Sequence, residues 1–501
     1  MSLYAGIDAG TQSLKVVVYD AATKQVIASA SECLELASRD DGSREQNPAD
    51  WIQALRDCFA RIDAGVRSRI VALAVSGQQH GLVPVDADGN VLAPAKLWCD
   101  TSTSLECDEI MDAAGGAFRC IELAGNPIPP GYTASKLPWT RKHRPDAYAK
   151  LVTILLPHDY LNFVLTGKRF CEWGDASGTG WLDVRTRRWS KELLHATDAQ
   201  RDLVACLPPI VEPDAMFDVD PVIAAQLGLP ATTKVATGGG DNMMAAWGTG
   251  AVSPGRLVMS LGTSGTLFAY SDAPVISATG EWAAFCSSSG GWLPLICTMN
   301  CTVATEQVAK LCGFSVRDGD AHLATTMPGA SGLTMLPFFN GERTPDLPRA
   351  RASLHGMDMI NNDAAHLYRA AMEGATYCLK YGFDAFVRAG MVFERIVLTG
   401  GGAHSAAWRQ MVADVFGLPV DVPRQAEGAA FGAALQALWA TRRAAGEDIE
   451  PMVICRDHVD FDAAHSANPN PRNTNAYAAA YRRYLHYLDL ERAEHAGSSH
   501  L

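Results

Sequence analysis

Two short segments that are rich in glycine and hydroxyl residues could bind phosphate groups. Asp8–Ser13 and Leu261–Thr266 each contain a Gly-Thr pair between two apolar runs. Glycine lets a ligand approach the backbone, and exposed amides and hydroxyls bind phosphate oxygens. Each segment alone could equally be a hairpin turn whose polar side chains satisfy its own backbone. As a pair they predict a polyphosphate held from two sides, with Asp8 holding Mg²⁺ directly or through water.

A single carboxylate, Asp241, is the candidate for acid–base chemistry. It follows Gly238–Gly240 and precedes a segment rich in alanine and methionine. Asp is a common residue at helix starts, so one interpretation is purely structural. The other is a general base set against a substrate hydroxyl, with the three glycines leaving room for the substrate. The residues themselves leave both interpretations open.

Polar side chains near other strand ends could contact a substrate that carries several hydroxyls. Gln79 and His80 follow the apolar run Ile70–Val75. Ligands of α/β proteins collect beyond the carboxyl ends of such strands. Gln and His can each bond more than one hydroxyl, although a single His is more often structural. Trp98 and Asp100 could line the same substrate site with polar groups, or could simply end a strand.

A third glycine-rich segment, Gly400–Ser405, links an apolar strand to a helix. Glycine there would let a base and a ribose lie against the backbone. A generic strand-to-helix turn is the alternative interpretation.

Strands and helices must position these segments, and the sequence patterns predict both. Tyr4–Asp8, Leu14–Tyr19 and Val26–Ser31 predict an antiparallel meander, because tight polar turns separate short apolar runs. Asn47 followed by Pro48 predicts the start of a helix. The continuous apolar run after that helix predicts a buried parallel strand.

The opening plan is repeated near the middle of the chain. Leu257–Leu261, a Gly-Thr turn and Thr266–Tyr270 again form a strand, a turn and a strand. Such an internal echo predicts a duplicated domain with a cleft between the two halves. The boundary is expected near Gly248–Gly255, where glycine and proline cluster.

Composition excludes several functional classes. The chain has 501 residues, with 55 acidic and 42 Lys and Arg residues, for a formal net charge of −13. Such a surface repels nucleic acid and anionic membranes, and no dense basic run is present. The N-terminus lacks the features of a secretory signal, and the 13 cysteines include no C-x-x-C pair. We therefore expect a cytoplasmic protein with reduced thiols.

Taken in order, the motifs resemble those of the FGGY carbohydrate kinases, a family of the actin-like ATPase superfamily. Asp8–Ser13 and Leu261–Thr266 resemble the superfamily's two phosphate motifs, and Thr399–Ser405 resembles its adenosine motif. Tyr132–Trp139 and Ala352–Glu373 resemble the two FGGY signatures. Five motifs in the family's order are far more specific than any one of them.

The resemblance implies an α/β fold with two ribonuclease H-like, actin-like ATPase domains and a central cleft. An N-terminal FGGY domain at 1–250 would bind the sugar and carry the base, and a C-terminal FGGY domain at 251–445 would bind the nucleotide. A helical extension and tail would follow at 446–501. The implied activity is transfer of the γ-phosphoryl group of ATP, the co-substrate, to a sugar hydroxyl with the help of Mg²⁺.

The family's functional residues map onto matching positions of this chain. Asp241 would accept the proton and Asp8 would hold the metal. The sugar contacts would be Gln79, His80, Trp98, Asp100 and Asn242. The ATP contacts would be Gly10, Thr11, Gln12, Ser13, Gly262, Thr263, Ser264, Gly401, Gly402, Ala403 and Ser405.

Within the family, the sugar-binding motifs are most similar to those of ketopentose kinases, which implies D-xylulose as acceptor and D-xylulose 5-phosphate as product. Gln79 stands where Met is frequent and Cys99 where Asn is usual, and both positions border the expected sugar pocket. Ribulose, another ketose or a polyol therefore remain alternatives, as does an actin-like ATPase or regulator that needs no sugar. Homodimers are common in the family, so the resemblance also allows one here.

Overall fold

The computed structural model describes residues 2–425 and 428–497. The strands, numbered along the chain, are β1 (Leu3–Ala9), β2 (Ser13–Asp20), β3 (Gln25–Cys33), β4 (Ala37–Ser38), β5 (Arg44–Gln46), β6 (Ile70–Gly77), β7 (Val83–Val85), β8 (Ala95–Lys96), β9 (Thr153–Leu155), β10 (Cys171–Glu172), β11 (Leu182–Asp183), β12 (Arg188–Trp189), β13 (Ile210–Val211), β14 (Met216–Asp218), β15 (Lys234–Ala236), β16 (Gly239–Gly240), β17 (Gly255–Leu261), β18 (Gly265–Ala269), β19 (Leu295–Thr298), β20 (Thr334–Leu336), β21 (Ser353–His355), β22 (Phe393–Thr399) and β23 (Val420–Asp421).

The α-helices, numbered in the same way, are α1 (Pro48–Arg61), α2 (Ala64–Arg67), α3 (Ser104–Ala114), α4 (Ala117–Ala124), α5 (Thr133–His143), α6 (Pro145–Lys150), α7 (Pro157–Thr166), α8 (Trp173–Ala176), α9 (Lys191–Thr197), α10 (Pro221–Leu227), α11 (Asp241–Thr249), α12 (Thr302–Cys312), α13 (Gly319–Leu323), α14 (Ala364–Arg388), α15 (Ala406–Phe416), α16 (Gly428–Ala444), α17 (Pro451–His458) and α18 (Pro471–Gly497). Among the described residues, none of these helices combines the length and the apolar character needed to cross a bilayer.

Contacts divide the chain into two compact units. The first comprises the described residues of Met1–Ser253, Tyr270–Pro294 and Glu427–Val459. The second comprises those of Pro254–Ala269, Leu295–Ala426 and Asp460–Leu501. Each unit thus combines separate stretches of the chain. The consecutive domain ranges 1–250, 251–445 and 446–501 stay a prediction.

The first unit is built on a seven-stranded sheet in the order β14-β15-β6-β1-β2-β3, with β16 also paired to β6. The meander β1-β2-β3 is antiparallel, and β6 runs parallel to β1, as predicted. The predicted helix start is also confirmed, since Asn47 caps α1 by accepting a hydrogen bond from the Ala49 amide. Helix α16 packs closely on β1, where Gly6 leaves no space for a side chain beside the Ala430 carbonyl.

The second unit contains a five-stranded sheet in the order β19-β18-β17-β22-β23. Three antiparallel strands lie beside two parallel ones, β22 next to β17 and β23 next to β22. The path β3-β2-β1-β6-β15 of the first unit has the same strand directions. The repeat seen in the sequence is therefore a repeat of sheet topology.

Candidate active site

Asp241 is the first residue of α11 and directly follows β16. Strand β16 pairs in parallel with the end of β6, with Gly239 opposite Ser76 and Gly240 opposite Gly77. The chain that leaves β6 continues at once into Gln78, Gln79 and His80. The fold thus brings the candidate base and the candidate substrate loop to the same sheet edge, which is where ligands of α/β proteins bind.

The surroundings of Asp241 favour its neutral form more than water would. Its side chain is half-buried. Burial, and then the negative charge of Asp8, raise the pKa of the Asp241 carboxyl to about 7. Asp8 lies on β1 opposite Ser76, whose hydroxyl donates a 2.8 Å hydrogen bond to it. A carboxylate that takes up a proton near neutral pH suits a general base.

A short hydrogen-bond chain links Asp241 to the substrate loop. The amide and the Nδ2 atom of Asn242 donate to Asp241 Oδ1 at 2.8 and 3.0 Å. Asn242 Nδ2 also donates to Gln79 Oε1 at 3.0 Å. Gln79 is 4% exposed, and its Nε2 finds no hydrogen-bond acceptor among the described residues. A buried donor without a partner is costly, so this position suits a ligand oxygen.

His80 is held in an uncommon backbone conformation, with φ of +65°. Its carbonyl accepts hydrogen bonds from Thr133 Oγ1 at 3.1 Å and from the buried Lys136 Nζ at 2.5 Å. Its ring lies 4.7 Å from that of Tyr132 and 5.5 Å from that of Phe285. These contacts fix the direction of the imidazole.

Sequence reasoning assigned no role to Lys136 or Phe285. The sequence does contain an indication for Lys136, because a lysine within a largely apolar signature segment needs a partner for its charge. Burial lowers the pKa of its ammonium group to about 7, although it donates to two carbonyls. Phe285 had no signal, since it reaches His80 from a stretch 205 positions further along the chain.

The first glycine-threonine segment forms the tight turn between β1 and β2. The Gly10 amide donates to the Ser13 carbonyl at 3.1 Å. Thr11 Oγ1 accepts a 2.9 Å hydrogen bond from Trp98 Nε1 and donates to Gln78 Oε1 at 3.2 Å. Trp98 is 41% exposed. The turn is therefore joined to the base of the substrate loop, whereas Gln12 is exposed.

Asp100 is not brought into this group. Its side chain is fully buried, and both oxygens have protein partners. Oδ2 accepts from the Arg44 amide at 2.8 Å and from Lys96 Nζ at 2.7 Å. Oδ1 accepts from the amide and hydroxyl of Ser102 at 3.1 and 2.7 Å. These four bonds favour a structural role for Asp100 over the predicted contact with sugar.

The three glycines before Asp241 have a different reason from the one expected. A side chain at Gly239 would lie 2.3 Å from Ser288 Oγ, and one at Gly240 would lie 2.7 Å from Gln79 Cγ. Gly238 has a φ of +70°. The glycines thus make room for neighbouring protein atoms and for a backbone bend, and the expectation that they leave room for substrate finds no support.

The second unit holds the other two glycine-rich segments together. Gly262–Ser264 turns between β17 and β18, and the first turn of α12 donates backbone hydrogen bonds to the carbonyls of Gly262 and Thr263. In the segment after β22, Gly402 packs against Leu261, the residue just before that turn. Gly401 has open space around it and is exposed, whereas Ala403 is buried.

Ser405 is occupied by structural contacts. Its hydroxyl donates to Asp320 Oδ1 and accepts from the Trp408 amide at 3.0 Å, which caps α15. Asp320 Oδ2 also accepts from the Ala406 amide at 3.0 Å. These contacts favour a capping role for Ser405 over direct contact with ATP.

Comparison with known proteins identifies the family. Residues 3–248 match the N-terminal domain of the FGGY family of carbohydrate kinases, and residues 257–441 match its C-terminal domain. The chain belongs to the FGGY family. It is accordingly a carbohydrate kinase, a phosphotransferase whose acceptor is an alcohol group.

Relatives match over nearly the whole chain. A xylulose kinase from Haemophilus influenzae is 43% identical over 495 residues, which cover 97% of this chain and 99% of that one. A xylulose kinase from Streptomyces coelicolor is 39% identical over 438 residues, 87% of each chain. The crystal structure of a "xyloylose kinase" from Brucella ovis has a TM-score of 0.90, 33% identity and 99% coverage of both chains. The expected α/β fold of the actin-like ATPase class is thereby confirmed.

Proposed function

We propose that this FGGY kinase transfers the γ-phosphoryl group of ATP to a hydroxyl of D-xylulose, giving D-xylulose 5-phosphate. One observation carries the mechanism: Asp241, at the start of α11, has a pKa raised to about 7 and is bonded through Asn242 to the substrate loop. The choice of acceptor rests on the relatives, which are named xylulose kinases. Family membership favours a kinase over an ATPase that needs no sugar.

In this proposal Asp241 Oδ2 takes the proton of the attacking hydroxyl. Oδ1 already accepts two hydrogen bonds from Asn242, and no bond from the described residues reaches Oδ2. The hydroxyl oxygen then attacks the γ-phosphorus, and ADP leaves. Positioning and charge neutralisation provide most of the catalysis in phosphoryl transfer, so the orientation of this carboxylate matters as much as its basicity.

The sugar contacts proposed on this basis are Gln79, His80, Asn242 and Trp98. The orphan Nε2 of Gln79 would donate to a sugar oxygen, and the oriented ring of His80 would bond a second hydroxyl. Asp100 stays a less favoured candidate, because all its bonds are made within the protein. The role of Asp100 is therefore proposed to be indirect, through Lys96 and the chain around Ser102.

For the nucleotide we propose the two glycine-threonine turns and the segment Gly400–Ser405. Gly10–Ser13 and Gly262–Ser264 offer amides and hydroxyls for phosphate oxygens. Gly401, with open space around it, suits close contact with an adenosine group, whereas Ser405 would act by shaping that segment.

Mg²⁺ fits the carboxylates of the first unit. The negative charge of Asp8 helps to raise the pKa of Asp241, so a cation between the two carboxylates would relieve their repulsion. Mg²⁺ prefers oxygen ligands of this kind. Asp8 would hold the ion directly or through water, and the bound ion would offset phosphate charge during transfer. With the ion bound, Gln79, His80 and Asn242 would hold the sugar, and Asp241 would accept the proton of its hydroxyl group.

An ADP-release assay tests the proposal. The purified protein, ATP and Mg²⁺ are combined with D-xylulose, ribulose, other ketoses or polyols, and with no sugar. We expect the highest kcat/KM with D-xylulose and slow hydrolysis without sugar. A higher kcat/KM for another sugar would correct the acceptor, and equal turnover without sugar would overturn the proposed reaction.

His80→Ala is expected to weaken sugar binding. Loss of one hydroxyl contact should raise the KM for D-xylulose by roughly 3–10-fold, with a smaller change in the KM for ATP. Steady-state kinetics with each substrate varied in turn will measure both values. An unchanged sugar KM would remove His80 from the substrate contacts.

The pH profile follows from the raised pKa of Asp241. Because the base must be ionised, kcat/KM for the sugar should rise about tenfold per pH unit below the pKa of Asp241 and level off above it. Burial is the first cause that raises this pKa and the charge of Asp8 is the second, and Mg²⁺ held by Asp8 would offset the second. Initial rates at saturating ATP between pH 5 and 9 will measure the profile. A flat profile down to pH ~5 would contradict ionisation of Asp241 in this range.

A cytoplasmic location and a homodimer remain proposals. The location rests on the reduced-thiol interpretation of the 13 cysteines and the dimer on family resemblance. Light scattering on the purified protein measures the molar mass, for which one chain contributes 53.6 kDa.

A further inference from the structure

The chain that leads to Asp241 contains an extra residue relative to its partner strand. Val235 pairs with Leu73, and Gly239 pairs with Ser76, both in parallel with β6. Three residues of one strand, Ala236 to Gly238, thus lie opposite two of the other. This is a β-bulge, and the positive φ of Gly238 is the conformation that allows it. A one-residue shift turns the following side chains to the other face, so the bulge decides where Asp241 points.

A side chain from another element completes the hydrogen bonds of the bulge. Gln436, on α16, is fully buried. Its Oε1 accepts from the Gly238 amide at 2.8 Å, and its Nε2 donates to the Gly238 carbonyl at 3.0 Å. Nε2 also lies 3.2 Å from Thr237 Oγ1. The amide of Gln436 therefore replaces the strand partner that Gly238 lacks.

Helix α16 is itself held tightly against α11, the helix that Asp241 begins. Side chains at Gly432 and Gly248 would lie 1.8 Å from the Met244 carbonyl and 1.9 Å from the Gly428 carbonyl. Gln436 is one turn beyond Gly432 on α16, so it lies on the same helix face. A displacement of Gln436 relative to the bulge is opposed by this close packing.

The neighbouring carbonyl, that of Thr237, is held by α7. His158 Nε2 lies 2.5 Å from the Thr237 carbonyl and 2.9 Å from Asn162 Nδ2. Because a carbonyl oxygen can only accept, we assign a proton to Nε2. Asn162 Nδ2 donates to the same carbonyl at 2.8 Å. The Cβ of His158 also packs against Gly77 at the end of β6. Helix α7 thus contacts both the end of β6 and the bulge.

The other nitrogen of His158 faces two carboxylates. Nδ1 lies 3.2 Å from Asp159 Oδ1 and 3.5 Å from Asp175 Oδ2, and all three side chains are at most 2% exposed. A lone pair on Nδ1 would be repelled by ionised carboxylate oxygens, whereas a second proton makes His158 a cation between them. This cation acts to lower the pKa of Asp175, which burial raises to about 7. Although burial acts to lower it, the pKa of His158 is raised well above its usual value by Asp159 and Asp175.

We propose that Gln436 and a positively charged His158 are positioning residues, which hold the bulge from two sides and thereby aim Asp241 at the substrate hydroxyl. The proposal rests on the function proposed for Asp241. It assigns to the two residues no contact with sugar or nucleotide. Their loss should therefore lower kcat and leave the KM values for sugar and ATP nearly unchanged.

The test compares variants that differ in charge and in hydrogen bonding. Gln436→Leu removes both bonds to Gly238 and should lower kcat by roughly 10–10²-fold. His158→Asn removes the cation. The double variant His158→Asn/Asp175→Asn also removes the Asp175 carboxylate, which would otherwise be left without a cation. Both variants should lower kcat by a similar factor of roughly 10–10²-fold. His158→Lys keeps a cation with three donors for the Thr237 carbonyl and the two carboxylates, and should recover kcat to within about 3-fold of the wild type.

A control variant breaks a buried hydrogen bond elsewhere in the same unit. Thr197→Val removes the 2.9 Å bond from Trp181 Nε1 and should leave kcat within about 2-fold. Thermal unfolding identifies the variants that remain folded, and only these are compared. A merely structural role would lower the unfolding temperature of the Gln436 and His158 variants while leaving kcat as in Thr197→Val.

Asp241→Asn, measured in the same assay, distinguishes a failure of the proposed base from a failure of the proposed positioning residues. If it turns over normally, the proposed base is wrong. If it is inactive while folded Gln436→Leu and the His158→Asn/Asp175→Asn double variant match the control, the positioning inference alone fails. A stoichiometric metal ion found by mass spectrometry, for which His158, Asp159 and Asp175 are close enough, would likewise overturn the assignment of a proton to Nδ1.

Discussion

Asp241→Asn is expected to lower kcat by roughly 10²–10⁴-fold, the usual contribution of a general base. The substitution keeps the shape of the side chain and the start of α11, because Asn is also favoured at helix starts. It removes the carboxylate that would accept the hydroxyl proton. The KM for ATP should change by less than about 3-fold, since the proposed nucleotide contacts lie elsewhere. Steady-state kinetics with ATP varied at saturating D-xylulose measure both effects.

Asp220→Asn is the matched control for this prediction. Asp220 also stands at a helix start in the first unit, where Oδ1 accepts from the Val222 and Ile223 amides at 2.8 and 3.1 Å. Its variant should keep wild-type turnover. If the two variants behaved alike, Asp241 would be a structural residue, as one interpretation of the sequence allowed.

Lys136→Met is expected to lower kcat/KM for the sugar by roughly 10²-fold, which is the effect of displacing a reacting or binding group by about 1 Å. The buried ammonium group holds the carbonyls of His80 and Gly131. Met has a similar length but no donor, so the His80 loop would lose its anchor. The KM for ATP should stay within about 3-fold, because no proposed nucleotide contact depends on Lys136.

Lys142→Met, on the same helix α5, serves as the comparison. Lys142 is 38% exposed and pairs with Glu106 and Glu109. Glu109 is exposed and Glu106 is buried, so the substitution is expected to cost stability, but neither partner contacts the candidate site and the kinetics should match the wild type. A folded Lys136→Met protein with normal sugar kinetics would show that the carbonyl contacts do not position His80.

Local patterns predicted the elements that carry the site. Short apolar runs separated by polar turns indicated the meander at the N-terminus and its repeat at β17 and β18, and both are present. These signals are reliable because turn chemistry and strand alternation depend on residues a few positions apart. The buried strand β6 and the capped helix α1 were predicted for the same reason.

Pairings between distant segments were not predictable in this way. Asp100 appeared as a polar side chain at a strand end, yet Arg44 and Lys96 occupy it. The glycines before Asp241 suggested space for substrate, yet Ser288 and Gln79 fill it. Each of these outcomes depends on a side chain that approaches from another element.

The sequence by itself determined the family motifs, the order of strands and helices, and the candidate base, because these are carried by neighbouring residues. Only the tertiary structure decided that Asn242 bonds Gln79, which is 163 positions away, and that Gln436 completes the bulge at Gly238, 198 positions away. Such contacts follow from the register of paired strands and the packing of helices over them. Register is a property of the whole sheet, so no local pattern contains it.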